Sequence, residues 1–211
     1  MTRALIQCFY DIPLDPEIES VRSRLGIRKN APIDPDLLRM LEQGSKQAKI
    51  LSHPTGLYLP LKIFHRTSDS VVLENETHFQ SASLSRLLQN SEEAVLMAAT
   101  IGHEIVDAIM NEVTQKDAAL GLILDAVASQ TTDAILDWMM DYINGILAKE
   151  GRKLTRHRYS PGYGDLPLVY QKPIFETLEL NKLGLELTEK YMLVPEKSVI
   201  AIAGIEPKES S

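Results

Sequence analysis

The longest regular pattern in the sequence lies between Lys116 and Lys149. Side chains suited to a buried face recur there at spacings of four and three residues, which is the repeat of one face of an α-helix. The stripe consists of Leu120, Leu124, Val127, Thr131, Ile135, Trp138 and Tyr142. The pattern predicts one long helix that forms the spine of the core.

Two helices near the N-terminus are predicted from their starting residues. Asp15-Pro16 precedes Glu17 to Leu25, and Asp34-Pro35 precedes Asp36 to Lys49. In each pair the Asp side chain can cap the helix, and Pro suits the first helical position because an N–H there would have no helical partner.

Two more helices are predicted further along the chain. Gly102 precedes a segment with apolar residues on one helical face, at Ile105, Ile109 and Val113. The other helix runs from about Pro173 to Leu183, and Gly184 then supplies the usual glycine at a helix end.

Short runs rich in β-branched and aromatic residues, separated by polar turns, predict strands. The first three runs suggest an antiparallel meander, the fourth is apolar throughout and suggests a buried strand, and the last two lie near the end of the chain. The runs are Tyr58 to Phe64, Val71 to Leu73, Phe79 to Ser81, Ala94 to Thr100, Tyr191 to Val194 and Val199 to Ala203.

Together these elements predict an α+β fold, in which helices, including the long one, pack against a twisted and mainly antiparallel sheet. A chain of 211 residues can bury a core of this kind. We expect a single domain over residues 1–211, with a helical arm over about residues 1–50 and a core over about residues 51–205.

Charge and cysteine content narrow the classes of function. The chain has 22 Lys and Arg against 29 Asp and Glu, a net charge of -7, and its scattered basic residues argue against a nucleic-acid partner. Cys8 is the only cysteine, so no intramolecular disulfide can form, and we expect a reducing, cytoplasmic location. We expect neither a signal peptide nor a membrane span, because charged residues interrupt the apolar stretches.

The sequence lacks the residue patterns that are typical of metal sites, serine hydrolases and nucleotide-binding P-loops. The five histidines lack both the i, i+4 pairing of a helical zinc site and any cysteine partner, so we expect no metal site. Gly-x-Ser-x-Gly and P-loop patterns are also absent.

The segment Arg158-Tyr-Ser-Pro-Gly-Tyr-Gly-Asp-Leu-Pro167 combines several groups that can bind a ligand. The planar guanidinium of Arg158 suits a carboxylate. Gly162 lets a ligand approach the main chain, and the ring of Tyr163 can hold a cation such as a sulfonium. These features suit the amino-acid end of S-adenosylmethionine, although the residue types alone are equally compatible with a surface turn.

The motif Arg-x-x-Pro-Gly-Tyr resembles the activation (reactivation) domain of vitamin B12-dependent, or cobalamin-dependent, methionine synthase. Ser-Pro-Gly-Tyr-Gly-Asp looks like the free-standing bacterial form of that domain. The likeness continues through Phe175 to Gly184, Leu187-Thr-Glu189 and Met192 to Ser198, and it covers about Leu120 to Gly204. It implies the same α+β fold.

The resemblance implies which residues bind S-adenosylmethionine: Arg158 and Tyr163 through their side chains and Ser160 through its backbone, with Gly162 between them. An acidic residue of the long helix also lines the site of the family, and Asp133 is the best positional match. Asp137 and Asp141 follow at spacings of four on the same helix face. For these two residues, the alternative to a role in the site is that they form part of a solvated acidic face. No catalytic acid or base is implied.

The resemblance also implies a function, the support of reductive methylation of cob(II)alamin on a separate B12-dependent methionine synthase. Cobalamin would be presented by that partner, since the corrinoid-binding signature Asp-x-His-x-x-Gly is absent here. The electron would come from a flavodoxin- or ferredoxin-like donor. The chain would be the activation component of a methyltransferase, and whether it is itself an enzyme is left open.

The likeness has a clear departure after the Gly-Tyr of the motif. Where the family has Ala-Cys-Pro-x-His after Gly-Tyr, this chain has Gly164-Asp165-Leu166-Pro167. Two alternatives therefore stay open: a non-catalytic module that binds S-adenosylmethionine or a corrinoid protein, and a reactivator of another corrinoid methyltransferase.

Overall fold

Three long antiparallel strands form the centre of the sheet in the computed structural model, which describes residues 5–14, 17–28, 31–115 and 117–208. Strand β5 (Glu93–Thr100) lies between β2 (Thr55–Arg66) and β9 (Ser198–Pro207). It pairs with both neighbours over its whole length, from Glu93 to Thr100. Both edges of the central strand are therefore hydrogen-bonded.

Shorter strands extend this sheet, and every pairing is antiparallel. The order is β4-β3-β2-β5-β9-β6, with β1 beside the first residues of β2, and β7 and β8 form a separate ribbon. These strands are β1 (Gln7–Phe9), β3 (Ser70–Leu73), β4 (His78–Gln80), β6 (Arg152–Leu154), β7 (Glu186–Leu187) and β8 (Leu193–Val194).

Six α-helices are present within the described residues. They are α1 (Ile18–Arg24), α2 (Pro35–Leu51), α3 (Ala82–Leu87), α4 (Glu104–Gln115), α5 (Ala118–Leu147) and α6 (Gln171–Thr177). Helices α1, α2, α4 and α5 pack on one face of the sheet, and α3 and α6 pack on the other.

The sheet is buried on both faces, which explains the uninterrupted apolar run of β5. Val95 and Met97 face the cluster formed with α1, α2, α4 and α5, whereas Leu96 and Ala98 face the second cluster, formed with α3 and α6. A strand covered on both faces needs apolar side chains at every position. The expected N-terminal arm packs into the first cluster as well, where Val21 and Leu41 are fully buried.

Helix α5 lies across the first face and touches the sheet closely. Asp117 caps it, because its Oδ1 accepts hydrogen bonds from the N–H groups of Ala119 and Leu120 at 3.0 and 3.2 Å. At Gly56 of β2, an added Cβ would lie 2.7 Å from the sulfur of Met139. Only glycine leaves room for the helix at this point.

The predicted stripe of α5 is confirmed in the first half of the helix and drifts in the second. Leu124, Val127, Thr131 and Ile135 are buried, but Tyr142 is 42% exposed, and the buried residues there are Met139, Ile143 and Leu147. Trp138 and Tyr142 instead stack on each other and pack edge-on against Phe9. The buried face of the helix therefore rotates between its first and second halves.

The α+β fold class is confirmed, and the meander, the strand β5 and helices α2, α4 and α5 lie where the sequence predicts them. Asp34 caps α2, with its Oδ1 2.8 Å from the N–H of Asp36. The predicted cap at Asp15-Pro16, and Lys116 at the start of the long helix, lie outside the described residues.

Four short elements were not predicted: β1, α3, β6 and β7. Ser81, which was predicted as the end of a strand, caps α3 by accepting a hydrogen bond from the N–H of Leu84 at 3.0 Å. The buried position expected for Val113 is wrong, because this side chain is 50% exposed and Glu112 is buried instead. The helix predicted to Leu183 ends at Thr177, because Glu179 adopts a left-handed φ of 52°.

One helical span within the described residues, Ala118–Glu150, is long and apolar enough to cross a membrane by length and composition. The charged residues of this helix therefore do not interrupt its apolar stretch as much as was expected from the sequence. In the apolar window of this span, 56% of the residues are buried inside the protein, as in the core helix of a globular domain.

We expect Ile135→Ala to lower the free energy of unfolding by about 2–5 kcal/mol, because it leaves a cavity between α5 and β2. Asp141→Ala, on the exposed side of the same helix, should change it by less than about 0.5 kcal/mol. Urea titration of both variants checks this. Equal effects would contradict the central position of Ile135.

Candidate ligand-binding site

Arg158 lies on extended backbone beside the sheet. The N–H and C=O of its neighbour Tyr159 each bond Ile202 of β9 at 2.8 Å. Side chains alternate along extended chain, so Tyr159 packs against the second cluster while Arg158 points to α5. There its Nη1 donates to the carboxylate of Asp137 and lies 3.7 Å from the sulfur of Met140.

The pairing with Asp137 leaves part of the Arg158 guanidinium available. Within the described parts of the chain, only Nη1 has acceptors, and the side chain is 25% exposed. Nη2 and Nε therefore keep donors that can bind an incoming carboxylate in the forked geometry of arginine. Asp137 holds the guanidinium in place without covering it.

The acidic face of α5 receives cations from three other parts of the fold. A fourth aspartate, Asp141, is exposed and has no hydrogen bond or ion pair among the described residues. The pairs are Lys197 with Asp125 at 2.7 Å, Arg24 with Asp133 at 2.5 Å, and Arg158 with Asp137. Asp137 is therefore paired and not merely solvated.

Asp133, the acidic contact carried over from the family motif, meets Arg24 of α1 and not Arg158. It lies one helical turn before Asp137 and is 44% exposed. The spacing of four places both carboxylates on one face of α5, so the sequence could not choose between them. A ligand role for Asp133 stays a prediction.

The segment from Ser160 to Leu166 forms a compact loop through its own backbone. Ser160 C=O accepts from Tyr163 N–H, Tyr163 C=O from Leu166 N–H, and Leu166 C=O from Gly162 N–H, at 3.2, 3.0 and 2.8 Å. Gly162 and Gly164 have φ values of 94° and 52°, in the region that glycine adopts most readily. Tyr163 lies at the tip and is 69% exposed.

The predicted residues Arg158, Ser160, Gly162 and Tyr163 thus lie on one short, ordered stretch of chain. The N–H of Ser160 takes no part in the hydrogen bonds of the loop. The arrangement offers a cationic fork, an exposed aromatic ring, and at Ser160 a backbone N–H that has no acceptor among the residues that the structure describes. Among the described residues, no group of three or more His, Cys, Asp or Glu is placed to hold a metal ion.

Asp165 is the part of the loop whose role the sequence did not indicate. Its Oδ1 accepts from Ser81 Oγ at 2.8 Å and from Tyr159 Oη at 3.3 Å, and its Oδ2 accepts from the N–H of Ser83 at 3.0 Å. The bond from the Ser83 backbone, then that from Ser81, lower the pKa of this carboxyl well below its ordinary range. No local pattern predicts these contacts, because the serines lie more than eighty residues earlier in the chain.

The lowered pKa of Asp165 predicts how stability depends on pH. The ionised carboxylate is favoured in the folded state, so its contribution is complete above the ordinary Asp pKa of about 3.9 and is lost as the pH falls below it. We expect the difference in unfolding free energy between the wild type and Asp165→Asn to be constant from about pH 5 to 8 and to shrink below about pH 4. Urea titrations across this range measure it.

A difference that does not change with pH would show that the carboxyl has an ordinary pKa in the folded protein. Asp69→Asn is a suitable control, because Asp69 is also an exposed carboxylate that accepts side-chain hydrogen bonds, from Thr67 and Gln80.

Comparison with known proteins agrees with the architecture. The sequence matches no protein-family model and no curated protein. Among solved structures, the crystal structure of the MetH reactivation domain bound to AdoHcy is similar, with a TM-score of 0.68 and 17% sequence identity over 100% of this chain and 81% of that chain. The likeness establishes the fold, and the resemblance of the sequence is confirmed at that level: the chain has the fold of a methionine synthase reactivation domain.

Proposed function

We propose that this protein binds S-adenosylmethionine and supports the reductive methylation of cob(II)alamin on a separate B12-dependent methionine synthase. The observation that carries the proposal is Arg158. It lies on the family motif, in a chain with the reactivation-domain fold, and keeps unused donors next to an exposed loop. The similar solved domain was bound to AdoHcy, the product that S-adenosylmethionine leaves after methyl transfer.

Arg158 would bind the carboxylate of the methionine moiety. Its two remaining donor nitrogens suit a bidentate pair, and its partial burial makes this pair stronger than one on an open surface. Asp137 already fixes the orientation of the guanidinium, so little side-chain freedom is lost when the ligand binds.

The loop after Arg158 would bind the rest of the amino-acid end. The free N–H of Ser160 can donate to the ligand, and Gly162 has no side chain to block its approach. The exposed ring of Tyr163 suits the positive sulfonium, because the face of an aromatic ring attracts cations.

The acidic row on α5 would complete the site. The ligand carries a positive ammonium group beside its carboxylate, and Asp133 and Asp137 present carboxylates on the helix face that Arg158 touches. The protein would thus bind and orient the methyl donor without acid–base chemistry.

The methyl transfer itself depends on a corrinoid held by the partner protein. One electron from a flavodoxin- or ferredoxin-like donor, together with the methyl group of S-adenosylmethionine, would convert cob(II)alamin to methylcobalamin. The present chain would hold the sulfonium so that its methyl group faces the docked partner.

A second candidate is a module that binds S-adenosylmethionine or a corrinoid protein without transferring a methyl group. One observation favours it: the position of the Cys/His stretch of the family is occupied by Asp165 and Leu166, and both of them anchor the loop. Reactivation of another corrinoid methyltransferase is a variant of the first proposal.

We expect the wild type to bind S-adenosylmethionine saturably and Arg158→Ala to bind it roughly 10- to 150-fold more weakly. Hydrogen bonds to charged groups contribute about 1.5–3 kcal/mol, and every 1.4 kcal/mol is a factor of about ten. Isothermal titration calorimetry measures both. Arg156→Ala is the matched control, because it removes the same charge from an exposed side chain two residues earlier.

Unchanged affinity in Arg158→Ala, or equal losses in the two variants, would remove Arg158 from the site. No binding to the wild type would contradict the proposal that this chain holds S-adenosylmethionine by itself.

Reductive methylation is tested with purified corrinoid proteins in the cob(II)alamin state, an electron donor and labelled S-adenosylmethionine. We expect methylcobalamin and S-adenosylhomocysteine to form in equal amounts with a methionine synthase, and the rate to fall with Arg158→Ala. Preference for another corrinoid protein would redirect the proposal to that partner, and binding without turnover on any of them would favour the non-catalytic module.

A further inference from the structure

The loop of residues 160–166, called the binding loop below, is held at both ends by contacts outside itself. At one end, the backbone of Tyr159 is bonded to Ile202 of β9. At the other, Asp165 reaches the first residues of α3, and the adjacent Leu166 is 1% exposed in the second cluster. Only residues 160–164 lie between these anchors, and they include most of the predicted ligand contacts.

The two ends are also linked to each other across the loop. The hydroxyl of Tyr159 donates to Asp165 and lies directly under Gly164, where an added Cβ would be 2.2 Å from it. Gly162 is packed less closely, since an added Cβ there would lie 3.0 Å from the end of the Leu168 side chain. A side chain at Gly164 would therefore collide with Tyr159, one of the residues that anchor the loop.

The charge of Asp165 suits its position. Its oxygens accept a backbone N–H and a hydroxyl at the start of α3, and bonds to an ionised acceptor are the strong class of hydrogen bond. Ser81 contributes twice, since its Oγ accepts from Leu84 N–H while it donates to Asp165. The anchor of the loop is thus tied to the cap of a helix.

We infer that Asp165 is a positioning residue for the ligand: it holds the backbone of Ser160, Gly162 and Tyr163 in the conformation that binds S-adenosylmethionine. The inference rests on the proposed function. A loop ordered before binding loses less conformational entropy when the ligand arrives, so the anchor increases affinity without touching the ligand. Asp165 performs this role in the stretch where the family has Ala-Cys-Pro-x-His.

The test is calorimetric titration of Asp165→Ala with S-adenosylmethionine. Ordering a few loop groups costs enough that we expect affinity to fall roughly 5- to 30-fold. Asp165→Asn, which keeps the shape and one acceptor, should lie between this variant and the wild type. Leu41→Ala is the control for general destabilisation, because Leu41 is fully buried in α2, in the first cluster, whereas the loop packs on the second. This variant should lose stability and keep its affinity for S-adenosylmethionine.

A double-mutant cycle separates the anchor from other effects of the substitution. Ser81→Ala removes the hydroxyl that donates to Asp165 at 2.8 Å. If the two residues act through one contact, the double variant should bind S-adenosylmethionine no more weakly than the weaker single variant. Fully additive losses in affinity would contradict a shared anchor.

Amide hydrogen exchange provides a readout that needs no ligand. Asp165→Ala should accelerate exchange at Gly162, Tyr163 and Leu166, whose N–H groups form the internal bonds of the loop, whereas Leu41→Ala should not do so selectively. If the wild type binds S-adenosylmethionine, equal affinity in Asp165→Ala and the wild type overturns the inference alone. If the wild type does not bind, the proposed function and the ligand role fail together, while selective exchange still identifies Asp165 as the anchor.

Discussion

Helix α5 can lie directly on the sheet because Gly56 leaves no side chain between them. An added Cβ would be 2.7 Å from Met139 and 3.0 Å from Ile135, so any other residue would lift the helix away from β2. This close approach also decides the position of everything that α5 carries. Its inner face closes the first hydrophobic cluster, and its outer face presents the row of aspartates that pair with cations of α1, of the β8–β9 turn and of the extended segment at Arg158.

The candidate site depends on that placement from two directions. The hydrogen-bonded pair of Tyr159 and Ile202 makes Arg158 point to the helical side of the sheet, and α5 supplies Asp137 at the place where the guanidinium arrives. On the other side of the sheet, Asp165 and Leu166 attach the same loop to α3 and to the second cluster. The conformation of a loop that is attached on both faces of the sheet depends on the packing of each face.

Periodic and capping signals were sufficient for the large elements, because the forces that form them are local or repeat along the chain. The stripe of α5 and the Asp34 cap of α2 are examples. Strands β1 and β6 are three residues long, too short for a period to be visible, and they are strands only because β2 and β9 offer free edges. The end of the helix before Glu179 was not predicted either, because it depends on tertiary packing. Leu178 and Leu180 are both buried, and the left-handed backbone of Glu179 turns both of them inward at the expense of helix propensity.

For the candidate site too, local features could be predicted from the sequence and contacts between distant residues could not. The resemblance could identify the loop, because Arg158 to Tyr163 is contiguous, but it could not determine which aspartate of α5 meets the arginine, since Asp133 and Asp137 differ by one turn on the same face. In the sequence, Gly164-Asp165 was noted only because it replaces the Cys/His stretch of the family. In the structure, Asp165 anchors the loop to Ser81 and Ser83. The similar solved structure shares the fold at 17% identity, so the contacts that hold this loop have to be read from this chain itself. Here the loop is held by Asp165, whose carboxylate bonds to Ser81 and Ser83 while Ser81 itself caps α3, so one ionised side chain ties the end of the loop to the start of a helix.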